Sequence, residues 1–190
     1  MLRIILALLL IAAPVSAANW SAVVGMYSAA GGGDGGGGGA ATGNYYPDGD
    51  LSVGADWYDN DFETTDLYAD IDDSVTSGSS GDGNLVRGYD SAGSNIYEFS
   101  VANITGSITT LRVHLRAYGD GTSVNFGVAL STDGTTWETA VNTGNLANYT
   151  LTWLYVDFSV SATDTSDLRV RFIDPNGSVA VDACYVEANP

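Results

Sequence analysis

Apolar and polar residues alternate along much of the chain after residue 44. The clearest case is residues 111–118, where apolar Leu111, Val113, Leu115 and Ala117 alternate with polar Arg112, His114, Arg116 and Tyr118. Successive side chains of a β-strand point to opposite sides of its sheet, so this period of two predicts a strand with one apolar and one polar face.

Similar short runs rich in Val, Ile, Thr, Tyr and Phe recur along the chain and are separated by Gly, Asp, Asn and Ser. No stretch of about a dozen residues after the leader shows an apolar stripe with helical spacing. The pattern predicts an all-β protein, an antiparallel β-sandwich of about eight strands, for which a jelly-roll is the favoured topology. The predicted strands are 51–58, 85–89, 95–101, 111–118, 124–130, 149–160, 168–173 and 178–187.

The N-terminal part has a different composition. Residues 1–17 contain Arg3, an apolar run and a Val-Ser-Ala end, which is the pattern of a cleaved secretory signal peptide; an uncleaved anchor that extends to residue 30 is the alternative. Residues 18–30 form a short apolar segment, and the glycine-rich stretch 31–44 is predicted to be a linker. The β-sandwich domain is then expected at 45–190, and no stable membrane span remains after cleavage.

The chain is strongly acidic, with a formal net charge of −17. Loss of the leader removes Arg3 and no acid, which leaves five Arg, no Lys and 23 acidic residues, a charge of −18. Such a surface repels nucleic acid and anionic membranes. A protein that does not bind nucleic acid is therefore expected, and the predicted signal peptide indicates that it is secreted or extracellular.

Few kinds of catalysis fit this composition. His114 is the only histidine and Cys184 the only cysteine, so ordinary zinc sites lack ligands, and Cys184 is expected to be a buried apolar residue. The nucleophile elbow Gly-x-Ser-x-Gly is absent. The one kind of catalysis that the composition does not exclude is hydrolysis by a pair of carboxylates, as in a glycoside hydrolase. Nothing in the sequence singles out such a pair, so we predict that the protein is not an enzyme.

Two groups of residues are candidates for binding. Asp59, Asp61 and Glu63 form an oxygen-rich stretch that suits structural calcium, with a solvated acidic loop as the alternative. The candidate ligand-binding residues lie on the polar sides of three predicted strands, where arginine forks and aromatic plates suit sugar rings or acidic glycans. They are Arg112, His114, Arg116, Trp153, Tyr155, Arg169 and Arg171. The alternative is that they form cross-strand ion pairs, or are buried by a loop or another subunit.

Three motifs resemble those of a known class of domain. They are the turn Ser-Thr-Asp-Gly-Thr-Thr-Trp at 131–137, the closing strand at 179–187, and the arrangement from 47–50 through Trp57 to 67–72. Together they resemble jelly-roll domains of the carbohydrate-binding and discoidin-like type, which occur in secreted bacterial proteins and bacteriophage virion proteins. This resemblance implies that Asp182, in the closing strand, is a calcium ligand.

The function expected from these observations is a non-catalytic module, extracellular or displayed on a virion, that attaches to a surface glycan. One alternative is a structural decoration or fibre subunit, held in its assembly by residues 18–30; a glycoside hydrolase ranks third. The expected partners are a surface glycan or an assembly partner, with a homo-oligomer as a further candidate.

Overall fold

The computed structural model describes residues 40–72, 82–89 and 95–190. The predicted signal peptide, the segment 18–30 and residues 31–39 of the predicted linker lie outside this part. Within it, no helix is long and apolar enough to cross a membrane. Apart from one turn of 3-10 helix at Leu67–Asp70, the regular elements are β1 (Gly43–Tyr45), β2 (Pro47–Val53), β3 (Trp57–Tyr58), β4 (Val86–Gly88), β5 (Ile96–Val101), β6 (Thr105–Ser131), β7 (Val141–Asn142), β8 (Thr152–Asp164) and β9 (Arg169–Ala188).

The strands form two antiparallel layers that share their longest members. The first part of β6 pairs with β8 and with the end of β9, which also pairs with β1 and β4; β3 pairs with β4. This set is called the front layer. In the back layer the order is β7, the end of β6, the start of β9, β5 and β2. Shifts in register between Asp120 and Gly127 mark where β6 passes from one layer to the other.

Aromatic side chains join the two layers through the core. Trp57 of the front layer is fully buried, and its ring lies 5.8 Å from the rings of both Tyr97 and Phe172 of the back layer. Phe126 meets the same indole edge-on at 6.4 Å. Gly88 lets the indole lie against the backbone of β4, since a Cβ at this position would come within 2.7 Å of the Trp57 ring. The core therefore lies between the layers, with Trp57 at its centre.

The predicted alternation in β6 is confirmed. Leu111, Val113, Leu115 and Ala117 are fully buried, while their polar neighbours lie on the outer side of the front layer. The eight predicted strands fall on β2 to β6, β8 and β9, and the structure adds the short β1 and β7. The predicted antiparallel sandwich is thus confirmed, and its longest strands, β6 and β9, pass through both layers.

The two ends of the domain meet at Asn189. Its amide donates hydrogen bonds to the carbonyls of Ala41 (2.8 Å) and Ser107 (2.9 Å). Its Oδ1 accepts bonds from the N–H groups of Thr109 and Thr110 at 2.8 and 3.2 Å. Ala41 is itself buried, so strand pairing starts inside the stretch that composition assigns to the linker. Asn189 fastens this first stretch to β6.

Candidate functional site

The outer surface of the front layer, called here the front face, brings five of the seven predicted ligand-binding residues together. Strand register sets Arg112 opposite Asp157, His114 opposite Tyr155, and Arg116 opposite Trp153. Because β6 and β8 are direct neighbours in regular antiparallel register from Thr110 to Ala117, these side chains form three adjacent rows. The face is therefore a compact patch of rings and charges.

Rings occupy the middle of the front face. The His114 imidazole stacks on Tyr185 of β9 with centroids 4.3 Å apart and planes 11° apart. The rings of Trp153 and Tyr46 each lie with their centroids 5.9 Å from that of the same Tyr185 ring. His114 and Tyr185 are both buried, at 8% and 3% exposure, so they form the floor of the patch.

Tyr155 differs from these rings because 57% of it is exposed. The guanidinium carbon of Arg112 lies 4.0 Å from the centre of its ring, a cation–π contact. Arg112 is in turn held by Asp157, whose two oxygens accept bonds from Nε at 2.6 Å and Nη2 at 3.0 Å. These bonds hold the pKa of Asp157 below its ordinary value. Tyr155 is thus an exposed ring in contact with an arginine side chain that Asp157 holds in place.

A second ion pair on the front face is buried. Arg116 donates a hydrogen bond to Oδ2 of Asp182, which is fully buried. Among the residues described, the other oxygen, Oδ1, has no hydrogen-bond partner. Asp182 occupies the extra position of a bulge between β6 and β9, where Arg116 pairs with Ala183 and Ala117 with Val181. The Arg116 charge therefore compensates a carboxylate that water does not reach.

Sequence reasoning missed two residues of the front face. Tyr185 carries the stack with His114, and Oε2 of Glu187 lies 2.8 Å from Nε2 of His114. Both belong to the predicted closing strand, where they point outward on alternate positions. The signal that identifies them is the period of two in the sequence, because Tyr185 and Glu187 alternate with the apolar residues Val186 and Ala188.

Arg169 and Arg171 do not join the other five. They lie on the outer surface of the back layer, where both donate to Glu98, at 2.9 and 2.7 Å, and Arg169 also bonds Asp167. The Arg171 guanidinium covers the ring of Trp137 at 3.6 Å. The two predicted sets of arginines therefore lie on opposite sides of the sandwich. Arg112 and Arg116 belong to the first part of β6, in the front layer, whereas Arg169 and Arg171 belong to the start of β9, in the back layer.

The four predicted calcium ligands do not converge. Oδ1 of Asp59 accepts the backbone N–H groups of Asp61 and Glu63, both at 2.8 Å, and so closes its own loop after β3. Asp182 instead bonds Arg116. Within 40–72, 82–89 and 95–190, no three His, Cys, Asp or Glu residues are grouped closely enough to hold a metal ion. The donor set does not fit a single calcium ion, and structural calcium stays a prediction.

The acidic loops nevertheless perturb one carboxyl group. Burial, and then the charges of Asp59 and Asp82, raise the pKa of Asp70 to about 6. Since the folded state holds this proton more tightly than the unfolded chain, Asp70 should lower stability as the pH rises from about 4 to about 6. The quantity to compare is the melting temperature of Asp70→Asn minus that of the unchanged protein. We expect this difference to be larger and more positive above pH 6 than at pH 4. A difference that is constant across this range, measured by thermal denaturation, would contradict the assignment.

Comparison with known proteins gives distant structural similarities only. No family model matches the chain, and no curated protein matches it. Three of the similar solved structures are a family 61 carbohydrate-binding module in complex with β-1,4-galactotriose, the C-terminal family 6 module of a marine laminarinase from Zobellia galactanivorans, and a family 4 module.

The numbers for these three are low. Identities are 17%, 14% and 16%, and TM-scores are 0.34, 0.40 and 0.31, in the same order. The alignments cover 54%, 74% and 70% of this chain and 69%, 99% and 95% of the other chains. All three are carbohydrate-binding modules, the type of domain that the sequence resembles. At these scores no residue role follows from them.

Proposed function

We propose that this protein is a non-catalytic module that binds a glycan on its front face. The observation that supports this most directly is Tyr155, an exposed ring on a rigid strand, supported from one side by Arg112. Sugar rings present C–H groups that pack on aromatic faces, and their hydroxyls bond to adjacent charged groups. Asp157 and Glu187 supply such charged groups near Tyr155.

The charges of the face favour a neutral glycan over an acidic one. Arg112 and Arg116 already bond Asp157 and Asp182, and Glu187 adds a further carboxylate beside His114. An anionic sugar would compete with these carboxylates for the guanidinium groups, and would approach a chain whose net charge is −17. A neutral sugar keeps the ion pairs intact and uses their free lone pairs and N–H groups.

The ion pair with Arg112 makes Asp157 unsuited to act as the general acid that would hydrolyse a glycan. The general acid of a glycosidase needs a raised pKa, so that it is protonated when it meets the leaving group. The bonds from Arg112 lower the pKa of Asp157 instead. We propose binding without cleavage, outside the cell, in line with the signal peptide predicted at 1–17. Attachment through residues 18–30 to a virion or other assembly remains the alternative function.

The test is glycan binding by the full chain and by Tyr155→Ala. An array of neutral and acidic glycans, probed with calcium and again with chelator, identifies the ligand and examines the predicted calcium together. We expect neutral glycans to bind, and Tyr155→Ala to weaken binding about 10- to 100-fold, because a packed ring contributes roughly 1.5–3 kcal/mol.

Trp137→Ala is the matched control, because Trp137 is an aromatic residue on the opposite surface of the sandwich. It should bind the glycan as the unchanged protein does. An array without signal in both conditions would refute the proposal. Equal losses in the two variants would place the ligand elsewhere than on the front face.

A further inference from the structure

The front face carries a second group of rings, on the side of the sheet away from Tyr155. Its members point outward, because each alternates with a buried residue of its strand or lies in an exposed loop. They are Tyr58, Phe62, Arg87, Tyr118 and Tyr149, called here the Arg87 cluster. Tyr58 pairs with Arg87, and both Arg87 and Tyr118 pair with Ala180 of β9. The cluster therefore crosses four neighbouring strands of the front layer.

Two rings of the Arg87 cluster are exposed to solvent. Phe62 is 76% exposed and Tyr149 is 65% exposed, each more than Tyr155. Phe62 stacks on Tyr58, with ring centroids 5.1 Å apart and planes 29° apart. Tyr149 lies with its ring centroid 6.2 Å from that of Tyr118. Each exposed ring thus contacts a ring that a strand of the sheet holds in place.

The backbone at both exposed rings is strained. The angle φ is 65° at Phe62 and 49° at Tyr149, in the left-handed region that bulky side chains rarely adopt. Such a residue costs on the order of 1–3 kcal/mol, and strained residues concentrate at ligand-binding and active sites. Glycine would adopt either conformation without strain, and burial does not account for rings that are mostly exposed. A role in binding accounts for aromatic residues at these two positions.

Arg87 supplies hydrogen-bond donors between the two pairs of rings. Its Nη1 donates to the hydroxyl of Tyr118 at 3.1 Å, and its Nε donates to Oδ1 of Asn60 at 3.3 Å. Within 40–72, 82–89 and 95–190 it forms no ion pair, unlike the other four arginines of this part of the chain. A guanidinium has five N–H groups, so three remain for the hydroxyl groups of a ligand.

The Arg87 cluster is continuous with the site proposed around Tyr155. Arg116 and Tyr118 are two positions apart on β6, so their side chains point to the same face. Tyr118 is four residues, roughly 14 Å, beyond the row of His114 and Tyr155, and β3 is four strand spacings, roughly 19 Å, from β8. A single sugar ring is smaller than either distance, so one ligand that contacts both groups is a chain of sugars.

We infer that the ligand of the front face is a neutral glycan of several sugar units, whose chain runs from Tyr155 to the Arg87 cluster. This inference rests on the proposed function and extends it from one exposed ring to three. The net charge of −17 opposes an acidic chain at the cluster, as it does at Tyr155. Hydroxyl groups along a neutral chain can accept the N–H groups of Arg87 while its sugar rings pack on Phe62 and Tyr149.

The test compares disaccharides with long oligomers of the same repeat, taken from neutral unbranched glucans, galactans, mannans and xylans. Calorimetric titration of the full chain should give an affinity at least about 10-fold higher for the oligomer, because only the oligomer reaches the Arg87 cluster. Phe62→Gly combined with Tyr149→Gly should lower the oligomer affinity about 10-fold and the disaccharide affinity much less. This variant should stay folded, because glycine relieves the strain at both positions; thermal denaturation checks the folding.

Two further variants separate this inference from the proposed function. Tyr155→Ala should weaken the binding of both the disaccharide and the oligomer, whereas Trp137→Ala, on the opposite surface, should change neither. Equal affinities of the unchanged protein for the two lengths would overturn the inference, and so would an oligomer affinity that the double glycine variant retains. In either case loss of binding in Tyr155→Ala would still support the proposed function. Failure of every glycan to bind would refute the proposed function, and the inference with it.

Discussion

Replacing Arg116 by alanine is expected to lower the free energy of unfolding by about 3–5 kcal/mol. The variant would leave the fully buried carboxylate of Asp182 without its counter-ion, and Oδ1 of this group already lacks a partner among the described residues. An unpaired buried charge costs far more than a surface ion pair contributes. Urea denaturation followed by fluorescence measures the change.

Two controls separate burial from charge. Arg112→Ala removes the same side chain from the more exposed pair with Asp157 and should cost about 1 kcal/mol or less. Arg116→Leu combined with Asp182→Leu removes both buried charges and should recover most of the stability lost in Arg116→Ala. If Arg116→Ala were no more destabilising than Arg112→Ala, Asp182 would have to be solvated or otherwise compensated.

Replacing Trp57 by alanine should cost about 3–5 kcal/mol, the usual range for removing a large buried aromatic residue. The indole contacts Tyr97, Phe126 and Phe172, so its loss opens a cavity between the two layers. Chemical denaturation of the full chain gives the value directly.

Trp57→Phe should cost much less, because the ring contacts are largely kept and Nε1 has no hydrogen-bond partner in the described part of the chain. Trp137→Ala, on the outer surface, should change stability by about 1 kcal/mol or less. A loss in Trp57→Ala as small as that in Trp137→Ala would show that the layers do not depend on the central indole.

Local features of this fold could be predicted from the sequence because they follow from local alternation. Residues 111–118 show it most clearly: their apolar members are buried and their polar members lie on the front face. The grouping of Arg112, His114 and Arg116 followed from the same period. Strand existence and the sidedness of each strand are properties of a few consecutive residues.

Relations between distant strands could not be predicted in this way. The residues Asp-Pro-Asn-Gly at 174–177 separate two predicted strands, but nothing in the sequence indicates that the first lies in the back layer and the second in the front layer, so that Arg169 and Arg171 bond Glu98 on the far side. The bulge that buries Asp182 beside Arg116 is equally non-local, since it needs the register of β6 against β9. Such pairings depend on bulges and bends that a single strand does not encode.

The bonds of Asn189 also determine how the domain would respond to mechanical force. A pull along the chain from the N-terminal side reaches the sandwich at Ala41, where the load falls first on two hydrogen bonds, from the Ala41 N–H group to the Ser107 carbonyl and from the Asn189 amide to the Ala41 carbonyl. The next connection is β1, which is paired with the end of β9. Strand β9 has hydrogen-bonded neighbours on both sides, so tension is distributed into the centre of the sheet instead of peeling away a border strand. The Asn189 side chain and the backbone bond from Ala41 to Ser107 together couple this first stretch to the domain.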